Sequence, residues 1–218
     1  MTEVIQNSLN TGAAYAQQLI GKDLFYNYLV KFGFNDKTGI ELPGEVSSNI
    51  KKLKSSSKDV DFATASFGQG VAATPLAVIN AFSAIANGGN LMKPFIIEGT
   101  KPQVIQKVIS REAAMAAAKM MVAAVDKAQI AKIPGYYVAG KTGTAQVPDF
   151  VHGGYLYNIF IDTYVGFAPA YDAKFVILIK LDKPAGGLLA GATVVPAFKE
   201  LADFLLNYYN IPPDCIEK

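Results

Sequence analysis

The sequence predicts an α+β domain in which an antiparallel sheet is flanked by helices. Three observations carry this. The first half reads as helices broken by one polar stretch. After Gly135 the apolar period changes from 3.6 toward 2, and three strand patterns follow. The chain then returns to helical spacing for its last amphipathic segment. Hydrophobic residues make up 51% and charged residues 17%, enough apolar material for a core, which excludes a disordered tail.

Gly12 to Ile20 is Ala-rich and predicts a short helix ending at Gly21. Asp23 is placed as N-cap of a helix over Leu24 to Phe32, with Gly33 as its C′ residue. Asn35 to Asp61 is punctuated by Pro43-Gly44 and a Lys/Ser cluster and predicts surface loop. Thr74-Pro75 is a cap followed by proline at the first helical position. That helix is expected to run to about Asn87 and stop at Gly88-Gly89. Ser110 caps a second long helix, Arg111 to Val125, with a buried Ala/Met face on which Met115, Met120 and Met121 pack. Tyr136 to Val147 and Asp162 to Pro169 predict strands. The run Phe175-Val-Ile-Leu-Ile-Lys-Leu181 is nearly continuous in apolar residues, as in a strand buried on both faces. Pro196 is expected to open a final helix through about Tyr209, stopped by Pro212-Pro213.

Length and charge narrow the function. At about 150 residues per domain, 218 residues suggest roughly one and a half domains. The net charge is +2 and Arg111 is the one arginine, so no nucleic-acid partner is expected. One cysteine (Cys215) and one histidine (His152) leave no intrachain disulfide and no His/Cys zinc set, so neither metal nor cofactor is expected. His152, beside Gly153-Gly154, reads as a solvated loop residue. No stretch reaches the roughly 18 apolar residues of a membrane span, and the first residues lack the pattern of a signal peptide, so the chain reads as soluble.

The sharpest local string is Ala139-Gly-Lys-Thr-Gly-Thr-Ala-Gln146, and it supports two incompatible readings. Gly135-Tyr-Tyr-Val-Ala-Gly140-Lys141-Thr142 fits G-x-x-x-x-G-K-[ST], the phosphate-binding loop of an NTPase. Its interior residues are strand formers, however, and Gly143 and Pro148 punctuate the place where a helix must follow. Asp182, after Val-Ile-Leu-Ile-Lys-Leu181, imitates the magnesium-binding aspartate. The other reading is a strand. Alternation puts Lys141 and Gly143 on one face and Thr142 and Thr144 on the other. Such an edge strand offers a cation, hydroxyls and backbone groups to an extended peptide, and Gly143 lets the partner come close.

K-T-G belongs with S-x-x-K and an S-x-N-type element in the set used by penicillin-binding proteins and class A β-lactamases. Ser8-Leu9-Asn10 supplies S-x-N, followed by Thr11-Gly-Ala-Ala14 opening a helix. Further blocks follow in order: Lys37-Thr-Gly-Ile-Glu-Leu-Pro-Gly-Glu45, Ala65-Ser-Phe-Gly-Gln-Gly70 with Thr74-Pro-Leu76, and Ala84-Ile-Ala-Asn-Gly-Gly89. Pro134-Gly-Tyr136, Val138-Ala-Gly-Lys-Thr-Gly-Thr-Ala-Gln146 and Val165-Gly-Phe-Ala-Pro169 complete the series. From residue 1 to about residue 213 the chain resembles the C-terminal part of the transpeptidase domain of class B penicillin-binding proteins, the peptidoglycan D,D-transpeptidases of division and elongation.

The resemblance implies a penicillin-binding protein/β-lactamase-like transpeptidase fold. It implies peptidoglycan stem peptides ending in D-Ala-D-Ala, and β-lactams, as ligands, and other cell-wall synthesis proteins as partners. Residue by residue, it implies that Ser8 relays a proton and that Asn10 hydrogen-bonds the nucleophile's lysine and the substrate amide. Lys141 supplies positive potential, while Thr142 and Thr144 bind the substrate carboxylate beside Gly143. The Thr144 N–H forms half of the oxyanion hole. The departure is that S-x-x-K lies upstream of S-x-N in the family, and seven residues precede Ser8 here. The expectation is therefore residues 1–218 as a partial domain, about two-thirds of one, without nucleophile and inactive alone. The parent would be membrane-anchored in the bacterial cell envelope and work outside the cytoplasmic membrane. Ser48-Asn-Ile-Lys51 and Ser55-Ser-Ser-Lys58 match S-x-x-K only as decoys in exposed loop, and Ser47-Ser48-Asn49 is a chance S-x-N. The rival readings are a non-catalytic interaction fragment with a sheet edge left free, and the NTPase. A β-lactamase or carboxypeptidase fits the Gly- and Pro-containing blocks less well.

Overall fold

The computed structural model describes residues 1–215 and confirms the α+β class with antiparallel pairing. The chain divides into two compact units, over Glu3–Ala117 and from Ala118 onward.

The first unit is mostly helical. It holds α1 (Thr2–Gln6), α2 (Asn10–Ile20), α3 (Lys22–Lys31), α4 (Lys51–Ser55), α5 (Asp59–Ser66) and α6 (Pro75–Ala86), then the strands β1 (Asn90–Lys93) and β2 (Gln103–Lys107). The α3 helix packs two ways because its apolar residues occupy two faces. Phe25, Tyr26, Leu29 and Val30 meet a core of Ile50, Leu53, Phe62 and Ala65. Tyr28 and Phe32 meet Ala84, Leu91 and Val108. Thr74 caps α6 as expected, its side chain accepting from Ala77 N–H at 3.1 Å with Pro75 at the first turn. Gly89 ends that region for a steric reason. Its φ is +107°, and a Cβ there would stand 2.1 Å from the Ile109 carbonyl oxygen. The Lys37–Glu45 block is latched by Glu45, whose carboxylate accepts from Thr38 N–H (2.6 Å), the Thr38 hydroxyl (2.7 Å) and Gly39 N–H (3.1 Å). The Thr38 hydroxyl foremost, then the two N–H groups, hold that carboxyl below its usual pKa.

Then comes α7 (Arg111–Ala128), which crosses the unit boundary; Ser110 caps it, accepting from Ala113 N–H at 3.1 Å. Ala114, Ala118, Met121, Val122 and Val125 are its buried stripe, at helical spacing. The second unit pairs β3 (Ala139–Pro148), β4 (Tyr155–Ala168) and β5 (Phe175–Asp182) antiparallel in that order, and α8 (Ala190–Tyr208) covers one face. Its core joins Tyr164, Ala168 and Ile177 of the sheet to Val194, Val195, Phe198, Ala202 and Leu206 of α8.

Several expectations fail for tertiary reasons. The polar stretch Asn35–Asp61 is not all loop: it holds α4 and the start of α5, because Leu53 and Phe62 find a core there. Asp23 lies in the first turn of α3, not at its cap, which is Gly21. The β1–β2 pair was not anticipated; β2 is exposed along its length and carries no burial alternation to read. Tyr136 to Val138 precede β3, since Gly135 O and Tyr137 N–H bond the C-terminal segment at Asp214 and Cys215. β4 starts at Tyr155, seven residues before the expected Asp162, because pairing with β3 overrides the polar Asn158. β5 is an edge strand with only Ile177 fully buried, so its apolar run does not report burial on two faces. Pro196 lies inside α8, which begins at Ala190 because Ala190, Val194 and Val195 already pack on the sheet.

Candidate active site

Ser8 and Asn10 flank Leu9 at the junction of α1 and α2. Ser8 is exposed with φ +50°, a left-handed conformation uncommon outside glycine. The chain turns there by Leu9 N–H bonding Val4 O at 3.0 Å. The ordinary reading of such residues as a helix cap does not hold. The N-cap of α2 is Leu9, it makes no side-chain cap bond, and Asn10 is the first helical residue. Both residues thus sit at the exposed start of a helix whose N-cap position belongs to Leu9.

Lys141 to Thr144 lie together on β3, at the sheet edge opposite β5. The register sets Lys141 against Val165, Thr142 against Tyr164, Gly143 against Thr163 and Thr144 against Asp162. The expected alternation therefore stands, with Thr142 and Thr144 on the face shared with Tyr164 and Asp162. Lys141 is half-buried, and its Nζ donates to Thr142 O (2.9 Å) and Thr142 Oγ1 (3.4 Å). Burial pushes its pKa below the usual lysine value. Thr144 is exposed as a residue, and its hydroxyl accepts from Ala190 N–H at 3.3 Å. At Gly143 a Cβ would stand 2.5 Å from Thr163 Oγ1, so its bareness is required by the neighbouring strand as well as open to a partner.

The phosphate-loop reading fails here. Lys141 and Thr142 are inside a strand that runs on to Pro148, and no helix N-terminus follows them. Gly140 has another cause: any Cβ at 140 would fall 1.9 Å from Tyr164 Oη. The decoy serines are accounted for as well. Ser48 is 4% exposed, not in exposed loop as expected, because its Oγ accepts from Thr74 N–H at 3.0 Å. Ser55 and Lys58 are exposed. His152 is exposed as expected, yet its Nδ1 lies 3.0 Å from Asp149 Oδ2 at the β3–β4 turn. Among the described residues no His/Cys/Asp/Glu group is placed to hold a metal, and no helix is long and apolar enough to cross a membrane.

Sequence reasoning missed Asp162. It is 0% exposed, its Oδ2 accepts from Thr193 Oγ1 at 2.8 Å, and its Oδ1 is buried without a hydrogen-bond partner. An acidic residue amid strand formers looks like a strand end, so no local signal marks it.

A half-buried lysine with threonines in alternation on the edge strand of a helix-flanked antiparallel sheet matches the K-T-G element of the penicillin-binding protein and β-lactamase set. The family model described as the penicillin binding protein transpeptidase domain matches residues 1–203, and the chain belongs to that family. It is 37% identical over 207 residues to Stage V sporulation protein D of Bacillus subtilis, covering 88% of this chain and 31% of that protein. It is 32% identical to the penicillin-binding protein PbpB of Mycobacterium tuberculosis, covering 97% of this chain and 34% of that protein. Among solved structures, the apo form of penicillin-binding protein 3 from Mycobacterium tuberculosis aligns with a TM-score of 0.89 and 31% identity, over 99% of this chain and 53% of that one. The same protein complexed with ampicillin aligns with a TM-score of 0.87 and 30% identity, over 98% of this chain and 52% of that one. The chain spans about a third of the length of the curated relatives it matches.

Proposed function

We propose that these residues form the substrate-binding part of a serine-type peptidoglycan D,D-transpeptidase, which crosslinks stem peptides ending in D-Ala-D-Ala and binds β-lactams. The observation that carries this is Lys141, half-buried on the β3 edge with its Nζ on Thr142, and Thr144 two residues further along the same strand. The ampicillin and aztreonam complexes of the related Mycobacterium tuberculosis protein support the choice of ligand. In this reading Lys141 supplies the positive potential, Thr142 and Thr144 hold the substrate carboxylate, and the Thr144 N–H meets the developing oxyanion. Ser8 and Asn10, at the exposed start of α2, carry the proton relay and the substrate amide. Residues 1–218 are part of one transpeptidase domain, acting in the bacterial cell envelope outside the cytoplasmic membrane beside other cell-wall synthesis proteins. Acyl transfer also needs an S-x-x-K serine and lysine, which these 218 residues do not place ahead of Ser8.

The test is a titration of the isotope-labelled chain with an N-acylated peptide ending in D-Ala-D-Ala, followed by NMR. The amides of Lys141 to Thr144 are expected to shift, with the L-Ala-L-Ala peptide weaker and Lys141→Ala abolishing the response. A fluorescent penicillin is expected to leave no covalent label on the same polypeptide. Shifts confined to other residues, or a label mapped to Ser48 or Ser55, would overturn the reading.

A further inference from the structure

Asp162 is costly where it stands. A buried carboxylate needs a partner for each oxygen, and here only Oδ2 has one. Its surroundings suggest what maintains it. Thr144 is its direct cross-strand partner, on the same face of the sheet. Thr193, which donates to Asp162, lies in the first turn of α8, and Ala190, which donates to Thr144, is the first residue of α8. Two polar links therefore tie one helical turn to one pair of facing strand residues. A threonine hydroxyl has one proton and two lone pairs. With the Ala190 N–H on the Thr144 oxygen, the Thr144 proton stays available to an anion at the exposed edge.

We propose that Asp162 is a positioning residue which, through Thr193, fixes the first turn of α8 so that Ala190 N–H holds the Thr144 hydroxyl ready to donate to a substrate carboxylate. The inference rests on the reading of Thr144 as a carboxylate ligand. It predicts a specific defect. Removing the Asp162–Thr193 link costs the preference for a free C-terminal carboxylate and leaves other parts of substrate binding intact.

The experiment compares the D-Ala-D-Ala peptide with its C-terminal amide on the full chain and on Asp162→Val, Thr193→Val, Thr193→Ser and Thr144→Val, together with hydrogen exchange at the Ala190 amide. Asp162→Val and Thr193→Val are expected to lose about tenfold of the carboxylate-over-amide preference, the worth of one charged hydrogen bond. Affinity for the amide should stay unchanged, and Ala190 should exchange faster. Thr193→Ser keeps the donor and should restore both readouts. If Asp162→Val does not fold, the Thr193 pair decides. If Thr144→Val loses the preference while Asp162→Val and Thr193→Val keep it, this inference is wrong and the reading of Thr144 survives. If Thr144→Val keeps it, or the wild-type chain shows no preference, the reading of Thr144 falls and the inference with it.

Discussion

Gly140→Ala should be among the most disruptive single-methyl additions in the second unit. The new Cβ would fall 1.9 Å from Tyr164 Oη, 2.5 Å from Cζ and 3.1 Å from Cε1, where ordinary contact begins at 3.4 Å. Tyr164 has little room to retreat. It is 3% exposed, its ring meets Phe198 edge-on at 4.6 Å, and Phe198 in turn fills the space over Gly166, where a Cβ would stand 2.6 Å from it. Gly140 and Gly166 face each other across β3 and β4, so the two glycines together form the slot for these rings. Overpacking a closed core costs about 1–3 kcal/mol, and a contact this short against a ring with no exit belongs at about 3 kcal/mol. For a domain of this size that is a fall in Tm of roughly 6–12 °C. The partner change is informative. Tyr164 Oη is buried without a hydrogen-bond partner, and burial pushes its pKa upward, so Tyr164→Phe should be neutral or stabilising by about 1 kcal/mol. It also removes the shortest contact, so Gly140→Ala with Tyr164→Phe should recover about 1 kcal/mol or more of coupling energy. Urea unfolding followed by circular dichroism measures all four states. A Gly140→Ala protein within about 0.5 kcal/mol of wild type, or a double variant no better than the single one, would refute the steric account.

Three further outcomes are expected. Thr74→Ala removes the α6 cap and should cost about 1 kcal/mol, while Ser48→Ala strands the Thr74 N–H and should cost about 1–3 kcal/mol; urea midpoints measure both. Burial lowers the Lys141 pKa, so its ammonium penalises the fold at neutral pH, and the penalty lifts as pH rises through the lowered value toward the ordinary 10.5. The stability gained by Lys141→Met should therefore shrink as pH rises from neutral past 10.5; a difference constant over that whole range would contradict this. Glu45 has the opposite pattern. Its latch is fully present above the ordinary carboxyl value of 4.5 and is lost as pH falls through its lowered value. Hydrogen exchange at the Thr38 and Gly39 amides should quicken in that acid range, and in Glu45→Gln at any pH.

How much of this was legible beforehand depended on the range of the interaction. Thr74-Pro75, Ser110 and Gly33 announced their roles because a cap or a left-handed stop is decided within four residues. The strand alternation of Lys141 to Thr144 was readable because a pleat has period two in any sheet. The ordered blocks from Ser8 to Pro169 pointed to the family, and the match over residues 1–203 agrees. Other features needed the tertiary structure. The apolar run of β5 is the same string whether the strand is central or at an edge, and only the pairing order shows the edge. Pro196 marks a helix start in isolation, yet packing of Ala190 to Val195 on the sheet starts α8 six residues sooner, at Ala190. Ser48 and Asp162 look like surface residues because what buries them, Thr74 and Thr193, lies 26 and 31 positions away. Local chemistry determined the caps, the alternation and the candidate cation. Long-range packing decided which polar groups lost their water, because desolvation depends on neighbours that the adjacent sequence does not name.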